Sequence, residues 1–368
     1  MKNTLLTHFD ELGPIKIIHI YDPKVDLKAV LAIDNVAAGP SIGGVRMAPD
    51  VTVEEAFRLA RAMTLKNAAA GLAHGGGKAV IQADPKNITI VQKEILIRAF
   101  ARAIKDLEEY IPGPDMGTDE TCMAWVKDEI NRSVGLPREV GGIPLDEIGA
   151  TGHGIAAAAD TACSFYQLPL EKARVAIQGF GAVGIHAAIQ LEKKGGVIVA
   201  VADSGGTVSN PSGLSVEKLV AIKRGGGSVT KYKEGLAEDT KAIISKSCDI
   251  WIPAARPDII HLQNVDQLDT RLIIQGANIP VTVEAENVLF KKGTHVIPDF
   301  IANAGGVICA AVEYHGGSEK MALDQVREKI RFNTLEVIRA SVEQNIPPRE
   351  AANQLAVSRV KKAMTFRK

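Results

Sequence analysis

The feature that most constrains the fold of this chain is a glycine-rich turn between a short apolar strand and a helix. The strand is predicted over Arg174–Gln178, the turn reads Gly179-Phe-Gly181-Ala-Val-Gly184, and a helical pattern follows over Ile185–Lys193. In a G-x-G-x-x-G turn, the first glycine permits a tight bend and the second lets a pyrophosphate approach the backbone. The third lets the helix pack on the strand. Free N–H groups at the start of that helix favour an anion.

A second predicted strand, Val197–Ala202, ends in Asp203, where a carboxylate can accept hydrogen bonds from ribose hydroxyls. Strand, glycine turn, helix, strand and acid occur together, which favours dinucleotide binding over a glycine turn that only shapes the chain. The predicted cofactor contacts in this segment are Gly179, Phe180, Gly181, Ala182, Val183, Gly184 and Asp203. The residues after Asp203, Ser-Gly-Gly-Thr, offer no cation for a 2′-phosphate. NAD is therefore expected as the cofactor, and NADP is less favoured.

The length and the charge of the chain indicate a globular enzyme. A chain of 368 residues is too long for one ordinary core, and 46% hydrophobic with 23% charged residues is typical of a globular enzyme. The 43 basic and 43 acidic residues cancel, so no overall field favours nucleic acid or an anionic membrane. No stretch reaches the ~20 apolar residues that span a bilayer, and the acidic N-terminal segment is unlike a secretory signal. We expect a cytoplasmic protein that acts on a small molecule.

The four cysteines are scattered, without a C-x-x-C pair or a metal-ligand spacing. They are interpreted as reduced thiols, and no metal site is predicted.

The chain is predicted to form two α/β domains. A glycine- and proline-rich connection near residues 135–144 marks a boundary, with residues 1–145 in the first domain and 146–344 in a Rossmann-type domain. The helix predicted in about residues 345–368 is of a kind that often packs back on a first domain. In the first domain, Thr52 and Glu55 predict a capping box at the start of a helix.

Two lysines bracket a second glycine-rich turn, Gly75-Gly-Gly, at positions 66 and 78. The turn does not fit a Walker A phosphate loop, because Leu72 replaces its first glycine and Ala79 replaces the Ser or Thr that would hold magnesium. The other interpretation gives each lysine its own task. Lys66 would hold a substrate carboxylate as a point charge, and Lys78, packed under glycines near another cation, would have a lowered pKa and act as a base.

The segment Met63–Ile81, which contains both lysines, resembles the glutamate/leucine/phenylalanine/valine dehydrogenase superfamily. Further segments at matching positions are Gly43–Arg46, Gly113–Thr118, Ala150–Gly154, Ile252–Ala255, Gly276–Asn278 and Ile301–Gly306. The resemblance implies an N-terminal substrate-binding and oligomerisation domain, a Rossmann-type domain and a cleft between them. It also implies a homo-oligomer that reversibly oxidises an L-amino acid to its 2-oxo acid and ammonia with a nicotinamide cofactor.

The resemblance also assigns roles to single residues. Lys66 matches the residue that binds the substrate α-carboxylate, Lys78 the lysine that activates water, and Asp115 the acid that shuttles protons to and from the amino group. Further family positions that line the cofactor and the substrate are matched by Thr151, Ala254, Asn278 and Asn303.

The side-chain pocket departs from the glutamate enzymes. Where they carry a lysine and a serine for the side-chain carboxylate, this chain has Ile42 and Ala310. Losing an ion-pair partner in a desolvated pocket costs on the order of 3–5 kcal/mol, or roughly two to three decades in preference. We therefore predict an apolar substrate, branched-chain or aromatic, with Gly43, Gly44 and Gly113 also at the pocket. The small residues at positions 113 and 310 favour extra room.

Two alternatives remain open. Segments of the second domain, such as Asp203–Gly213 and Ile297–Asn303, look more like the glutamate branch, so a glutamate dehydrogenase is one alternative. A non-catalytic dinucleotide sensor on the same fold is the other, although Lys66, Lys78 and Asp115 are all present.

Overall fold

The computed structural model describes residues 9–367, and the chain divides into two compact units. The first unit contains the chain up to Pro144, Val307–Ala322 and Asn353–Lys368, and the second contains Leu145–Gly306 and Leu323–Ala352. The division at Pro144 lies beside the predicted boundary, but the second unit is not the continuous segment 146–344 of the sequence prediction. Val307–Ala322 belongs to the first unit because its side chains bind loops of that unit, as described below for Glu313.

The first unit opens with alternating strands and helices. In chain order they are β1 (Lys16–Asp22), β2 (Leu27–Asn35), β3 (Ser41–Ala48), α1 (Val53–Ala69), β4 (Gly75–Gln82), α2 (Ile90–Ala103), β5 (Tyr110–Pro114) and α3 (Glu120–Ile130). The strands form one five-stranded sheet in the order β1-β2-β4-β3-β5. In this sheet β3 runs parallel to both β4 and β5, whereas β2 is antiparallel to β1 and β4.

The two faces of this sheet have different partners. Val45 of β3, Ala79 of β4 and Tyr110 of β5 are buried in the main core with residues of α2 and α3. On the opposite face, Val80 of β4 packs against Ala60 of α1. Because side chains alternate along a strand, positions 42, 44 and 46 of β3 and positions 76 and 78 of β4 share the α1 face.

Helix α1 begins as predicted, with one difference. Thr52 is its N-cap and accepts a hydrogen bond from the backbone N–H of Glu55 at 3.1 Å. The predicted capping box also needs the Glu55 side chain to return to the N-cap, but that carboxylate binds Arg46 on β3. The box prediction is wrong in this half, because an arginine on the neighbouring strand offers the carboxylate a charged partner.

The second unit carries the Rossmann-type sheet. Its elements are α4 (Ala150–Phe165), β6 (Arg174–Gln178), α5 (Ala182–Lys193), β7 (Val197–Asp203), β8 (Gly206–Ser209), α6 (Val216–Arg224), β9 (Leu236–Glu238), β10 (Ile250–Pro253), β11 (Leu272–Ile274), α7 (Val283–Lys291), β12 (His295–Ile297) and α8 (Asp299–Ala302). The seven-stranded sheet has the order β12-β11-β10-β6-β7-β8-β9. The strands β12, β11, β10, β6 and β7 are parallel, and β8 and β9 are antiparallel additions. Fully buried Trp251 lies in its core.

The chain leaves β6 towards β7 on one side of the sheet and later returns to place β10 on the other side. In open α/β sheets, ligands bind outside the carboxyl ends of the strands at such a reversal.

Three more helices complete the chain: α9 (Gly305–Tyr314), α10 (Glu319–Gln344) and α11 (Pro348–Met364). Among the described residues, 9–367, no helix combines the length and the apolar character needed to cross a bilayer.

Candidate active site

An ion pair between a buried lysine and a half-buried aspartate joins β4 to the end of β5. Lys78 is only 6% exposed, and its Nζ lies 2.5 Å from Oδ2 of Asp115, the residue that follows β5. Arg46 on β3 donates from Nε to the same oxygen at 3.1 Å and also binds Glu55 of α1. The two residues predicted as catalytic are therefore adjacent, and a second cation shares their carboxylate.

This arrangement depends on glycine at position 44. A Cβ atom there would stand 2.7 Å from Cβ of Asp115 and 3.1 Å from Nζ of Lys78. Gly43 points to the other face of the sheet, where a Cβ atom would meet the carbonyl oxygen of Gly77 at 1.6 Å. Gly44 thus makes room for the ion pair, whereas Gly43 allows close packing of the strands.

The net effect of burial and the neighbouring charges is to lower the pKa values of both Lys78 and Asp115. Burial lowers the pKa of Lys78 below that of an ordinary lysine; Asp115 opposes this shift and Arg46 adds to it. Burial alone would raise the pKa of Asp115, but Lys78 and Arg46 outweigh it and the pKa falls below its usual range. The pair is therefore a carboxylate that stays ionised and an amine that releases a proton more easily than a solvated lysine.

Lys66 lies in the last turn of α1, the helix that packs on the sheet face carrying Lys78, and it is half-buried. The next residue, Asn67, is fully buried, and its Nδ2 donates to the carbonyl oxygens of Gly75 at 2.7 Å and of Ile42 at 3.4 Å. These bonds tie the end of α1 to the beginnings of β3 and β4. A role for Lys66 was predicted from the sequence, whereas this support from Asn67 is visible only in the structure.

The residues predicted to surround the substrate side chain lie in two places. Ile42 is 3% exposed and shares the face of Arg46 and Lys78. Gly113 pairs with Gly44 in the sheet, and a Cβ atom on Gly113 would stand 3.2 Å from Cγ2 of buried Val134. The space that Gly113 leaves is thus bordered on one side by a valine.

Ala310 is half-buried on α9, which is fastened to the first unit near its C-terminal end. Buried Glu313 accepts hydrogen bonds from the backbone N–H groups of Leu136 at 3.1 Å and Ile143 at 2.8 Å. Burial raises the pKa of Glu313, against the opposing effect of these donors. The side chain therefore holds the loop before Pro144 to α9.

His74, the residue directly before the glycine run Gly75–Gly77, is packed in the interior. It is 2% exposed, its Nδ1 lies 3.0 Å from the carbonyl oxygen of Pro40, and its Nε2 lies 3.2 Å from Nε2 of His315. Burial lowers the pKa of His74, which favours the neutral ring.

In the second unit, the glycine turn has the geometry of an anion site. Gly179 has a φ of +98°, and a Cβ atom on Gly184 would meet the carbonyl oxygen of Gly179 at 1.9 Å. A Cβ atom on Gly181 would have no neighbour within 4 Å, and Gly181, as the N-cap of α5, has no side chain with which to cap that helix. The start of α5 and the open space over Gly181 fit a pyrophosphate, as the motif predicts. Phe180 is buried, Val183 is half-buried and Ala182 is exposed.

A cavity of about 430 Å³ beside the turn reaches Asp203. Oδ2 of Asp203 accepts from Nζ of Lys223 at 2.7 Å and from the N–H of Val229 at 3.0 Å, and Oδ1 accepts from the Ser228 hydroxyl at 2.8 Å. Burial alone would raise the pKa of Asp203, but Lys223 and Ser228 outweigh it and lower the pKa. The expectation that no cation stands near Asp203 is therefore wrong, since Lys223 and Lys241 line this cavity.

The other residues predicted on the cofactor side lie at one edge of the same sheet. Ala254 follows β10, and exposed Asn278 follows β11. Asn303 is 7% exposed, and its Nδ2 donates to Oδ1 of Asn278 at 3.1 Å. Thr151 is in the first turn of α4, and a Cβ atom on Gly305 would stand 2.9 Å from its backbone nitrogen.

Sequence reasoning missed Arg46 and Lys223. Arg46 could have been found, because a strand over positions 41–48 places it on the face of positions 42 and 44. Lys223 could not, because α6 is separated from Asp203 in the chain by β8 and a loop. No group of three or more His, Cys, Asp and Glu side chains that could hold a metal ion occurs in residues 9–367.

Comparison with known proteins adds to this geometry. Residues 17–132 match the family model described as Glu/Leu/Phe/Val dehydrogenase, dimerisation domain, and residues 141–368 match Glutamate/Leucine/Phenylalanine/Valine dehydrogenase. The chain is 39% identical to a glutamate dehydrogenase of Aeropyrum pernix over 356 residues, which is 90% of this chain and 85% of that protein. It is 36% identical to an NADP-specific glutamate dehydrogenase of Saccharolobus shibatae, over 90% of this chain and 83% of that one.

Among solved structures, the chain is similar to the L-tryptophan dehydrogenase of Nostoc punctiforme. The TM-score is 0.78 at 27% identity, covering 96% of this chain and 98% of that one.

Proposed function

We infer that this chain, which belongs to the glutamate/leucine/phenylalanine/valine dehydrogenase family, oxidises an apolar L-amino acid to its 2-oxo acid and ammonia, and catalyses the reverse reaction. The reaction class is that of the family, an amino acid dehydrogenase with a nicotinamide cofactor. The observation that carries the assignment of roles is the ion pair of buried Lys78 with Asp115, with Arg46 on the same oxygen. The finer choices of substrate and cofactor are argued separately below.

Each side chain has a task that its surroundings support. Lys66 holds the α-carboxylate as a point charge. The bound nicotinamide supplies the hydride acceptor for Cα. Lys78, with its lowered pKa, takes a proton from the water that adds to the imino carbon. Asp115, a carboxylate at rest, accepts the remaining proton of the added hydroxyl and passes it to the departing nitrogen, so that the C–N bond breaks, ammonia leaves and the 2-oxo acid remains.

The apolar substrate is proposed from Ile42 and Ala310. Ile42 lies on the sheet face of the ion pair, and the cations on that face at positions 46 and 78 already bind Asp115. A side-chain carboxylate would thus enter without the lysine and serine of the glutamate enzymes. Val134 beside Gly113 favours a branched aliphatic chain over a large aromatic one.

Glutamate is the second candidate substrate, because the relatives at 39% and 36% identity are named glutamate dehydrogenases. The test is to measure the rate of oxidation of leucine, valine, phenylalanine, tryptophan and glutamate. Each rate is read from the absorbance of the reduced cofactor. We expect kcat/KM for the best apolar amino acid to exceed that for glutamate by about two decades. A strong preference for glutamate would show that the second candidate, and not an apolar amino acid, is the substrate. Binding of the cofactor without turnover of any amino acid would indicate a non-catalytic sensor.

NAD is proposed as the preferred cofactor and NADP as a second substrate of the same site. Asp203 is a carboxylate at the position that meets the ribose, which supports NAD. Lys223 offsets its charge and Lys241 lies in the same cavity, which supports acceptance of a 2′-phosphate. The NADP-specific relative is consistent with this second use.

Replacing Lys223 by methionine is expected to sharpen the preference for NAD. Loss of a charged donor to a phosphate costs roughly 1.5–3 kcal/mol, so kcat/KM with NADP should fall about ten- to a hundredfold while the value with NAD changes little. Lys218→Met, on the same helix but paired with Glu234, is the matched control. Equal loss with both cofactors would contradict a role for Lys223 in cofactor choice.

The rate of amino-acid oxidation is expected to rise with pH and to level off below the ordinary pKa of lysine. The neutral amine of Lys78 is the active form, and burial lowers its pKa, so deprotonation is complete at a lower pH than for a solvated lysine. Arg46→Gln removes a cation that helps lower this pKa, so its kcat/KM profile should shift to higher pH. An unshifted profile, or a rate that falls with rising pH in this range, would contradict Lys78 as the base.

A homo-oligomer is proposed for the assembled protein. The matched dimerisation domain supports this, as does the edge strand β1 with Tyr21 65% exposed. Light scattering of the purified chain measures the number of copies.

A further inference from the structure

The C-terminal end of α1 needs partners from outside the helix. Ala68, Ala69 and Ala70 are at most 6% exposed, so the last carbonyl groups have little access to bulk water. The backbone N–H of Ala70 binds the carbonyl of Lys66, and that of Gly71 binds the carbonyl of Ala68. A buried helix end without further donors would leave carbonyl oxygens unsatisfied.

Arg359 of α11 supplies these donors. Its Nη1 lies 2.7 Å from the carbonyl oxygen of Ala69 and 3.2 Å from that of Ala68. Arg359 is half-buried, and its neighbours Ala356 and Val360 on α11 are buried. The guanidinium thus places a positive charge at the negative end of the helix dipole, where a cation stabilises the last turn.

The residues held in this way lie next to Lys66. Asn67 binds the carbonyl of Gly75, so the residues that directly follow Lys66 are held by β4 at Asn67 and by α11 at Ala68 and Ala69. The turn from α1 to β4 leads directly to the strand that carries Lys78. Movement of the helix end would therefore displace Lys66 relative to the ion pair.

We propose that Arg359 is a positioning residue for the substrate carboxylate, acting through the last turn of α1 and Lys66. The proposal rests on the proposed function, because it takes Lys66 as the carboxylate-binding residue. The proposal gives the C-terminal helix α11 a part in substrate binding, although Arg359 is far from Lys66 in the chain. The proposal predicts that the affinity for the amino acid depends on α11, whereas the affinity for the cofactor does not.

The test compares Arg359→Met and Arg359→Lys with Arg367→Met. Methionine keeps the stem of the side chain but removes the donors, whereas lysine keeps the charge and a donor. Arg367 is a matched control, because it also donates from the C-terminal segment to a backbone carbonyl, that of Val36 at 3.2 Å. KM for the amino acid, kcat, the Kd of NAD and the melting temperature are measured for each.

Arg359→Met is expected to raise KM for the amino acid about tenfold, the equivalent of one lost charge-assisted hydrogen bond. The kcat of this variant and its Kd for NAD should each change by less than about twofold. Arg359→Lys should recover part of the loss, and Arg367→Met should match the unaltered chain. An unchanged KM in Arg359→Met would overturn the proposal; if that variant does not fold, an unchanged KM in Arg359→Lys does so.

A double-variant cycle separates this inference from the proposed function. If Arg359 acts through Lys66, Arg359→Met should raise KM little further in a Lys66→Gln background. Equal effects in both backgrounds would show that Arg359 does not act through Lys66. A normal KM in Lys66→Gln alone would instead remove the role of Lys66 and with it the proposed carboxylate site.

Discussion

Replacement of Lys78 by methionine should lower kcat for amino-acid oxidation by about 10²- to 10⁴-fold, the range that a positioned general base contributes. Methionine fills much of the same volume at a position that is 6% exposed, so packing should survive. Asp115 keeps Arg46 as a partner at 3.1 Å, so the carboxylate is not left without a cation. The loss should therefore reflect the missing base rather than a collapsed site.

The measurement is kcat at saturating amino acid, together with the Kd of NAD from fluorescence titration. We expect that Kd to be unchanged, because Lys78 lies in the first unit and the glycine turn in the second. Lys86→Met is the control, an exposed lysine in the loop that follows the same strand. Near-normal turnover in Lys78→Met would show that another group, with Asp115 the first candidate, activates the water.

The second large effect is expected from rebuilding the side-chain pocket. Ile42→Lys combined with Ala310→Ser should shift the ratio of kcat/KM for glutamate over leucine by two to three decades, since a desolvated ion pair is worth on the order of 3–5 kcal/mol. Position 42 lies on the sheet face of Arg46 and Lys78, so a lysine there would approach the same pocket. Ile42→Met, which keeps an apolar side chain, should leave the ratio almost unchanged.

The thermal stability of the Ile42→Lys and Ala310→Ser double variant provides an independent test. Ile42 is 3% exposed, so a lysine there is buried without a partner in the free protein and should lower the melting temperature. Glutamate should raise that temperature more than leucine does, because ligand binding stabilises the native state by mass action. No change in the substrate ratio would mean that residues other than 42 and 310 select the side chain.

Much of the fold followed from local patterns. The strand over Arg174–Gln178 occurs at the predicted residues and the predicted strand Val197–Ala202 lies within β7, because apolar periodicity and glycine turns are local signals. The helices α2 and α3 and the strands β3 and β5 were not predicted individually. Short apolar strands beside Gly43 and Gly113 have little β propensity of their own, and pairing within the sheet decides them.

The site divides in the same way. Sequence determined which side chains are present: two lysines around a glycine run, an aspartate near Gly113, a G-x-G-x-x-G turn, and Ile42 and Ala310 where glutamate enzymes carry polar residues. Tertiary structure alone decided that Arg46 shares the carboxylate of Asp115, that Lys223 binds Asp203, and that Arg359 reaches the end of α1. These contacts join residues far apart in the chain, and no local periodicity encodes the distance between two charges that only the packed elements bring together.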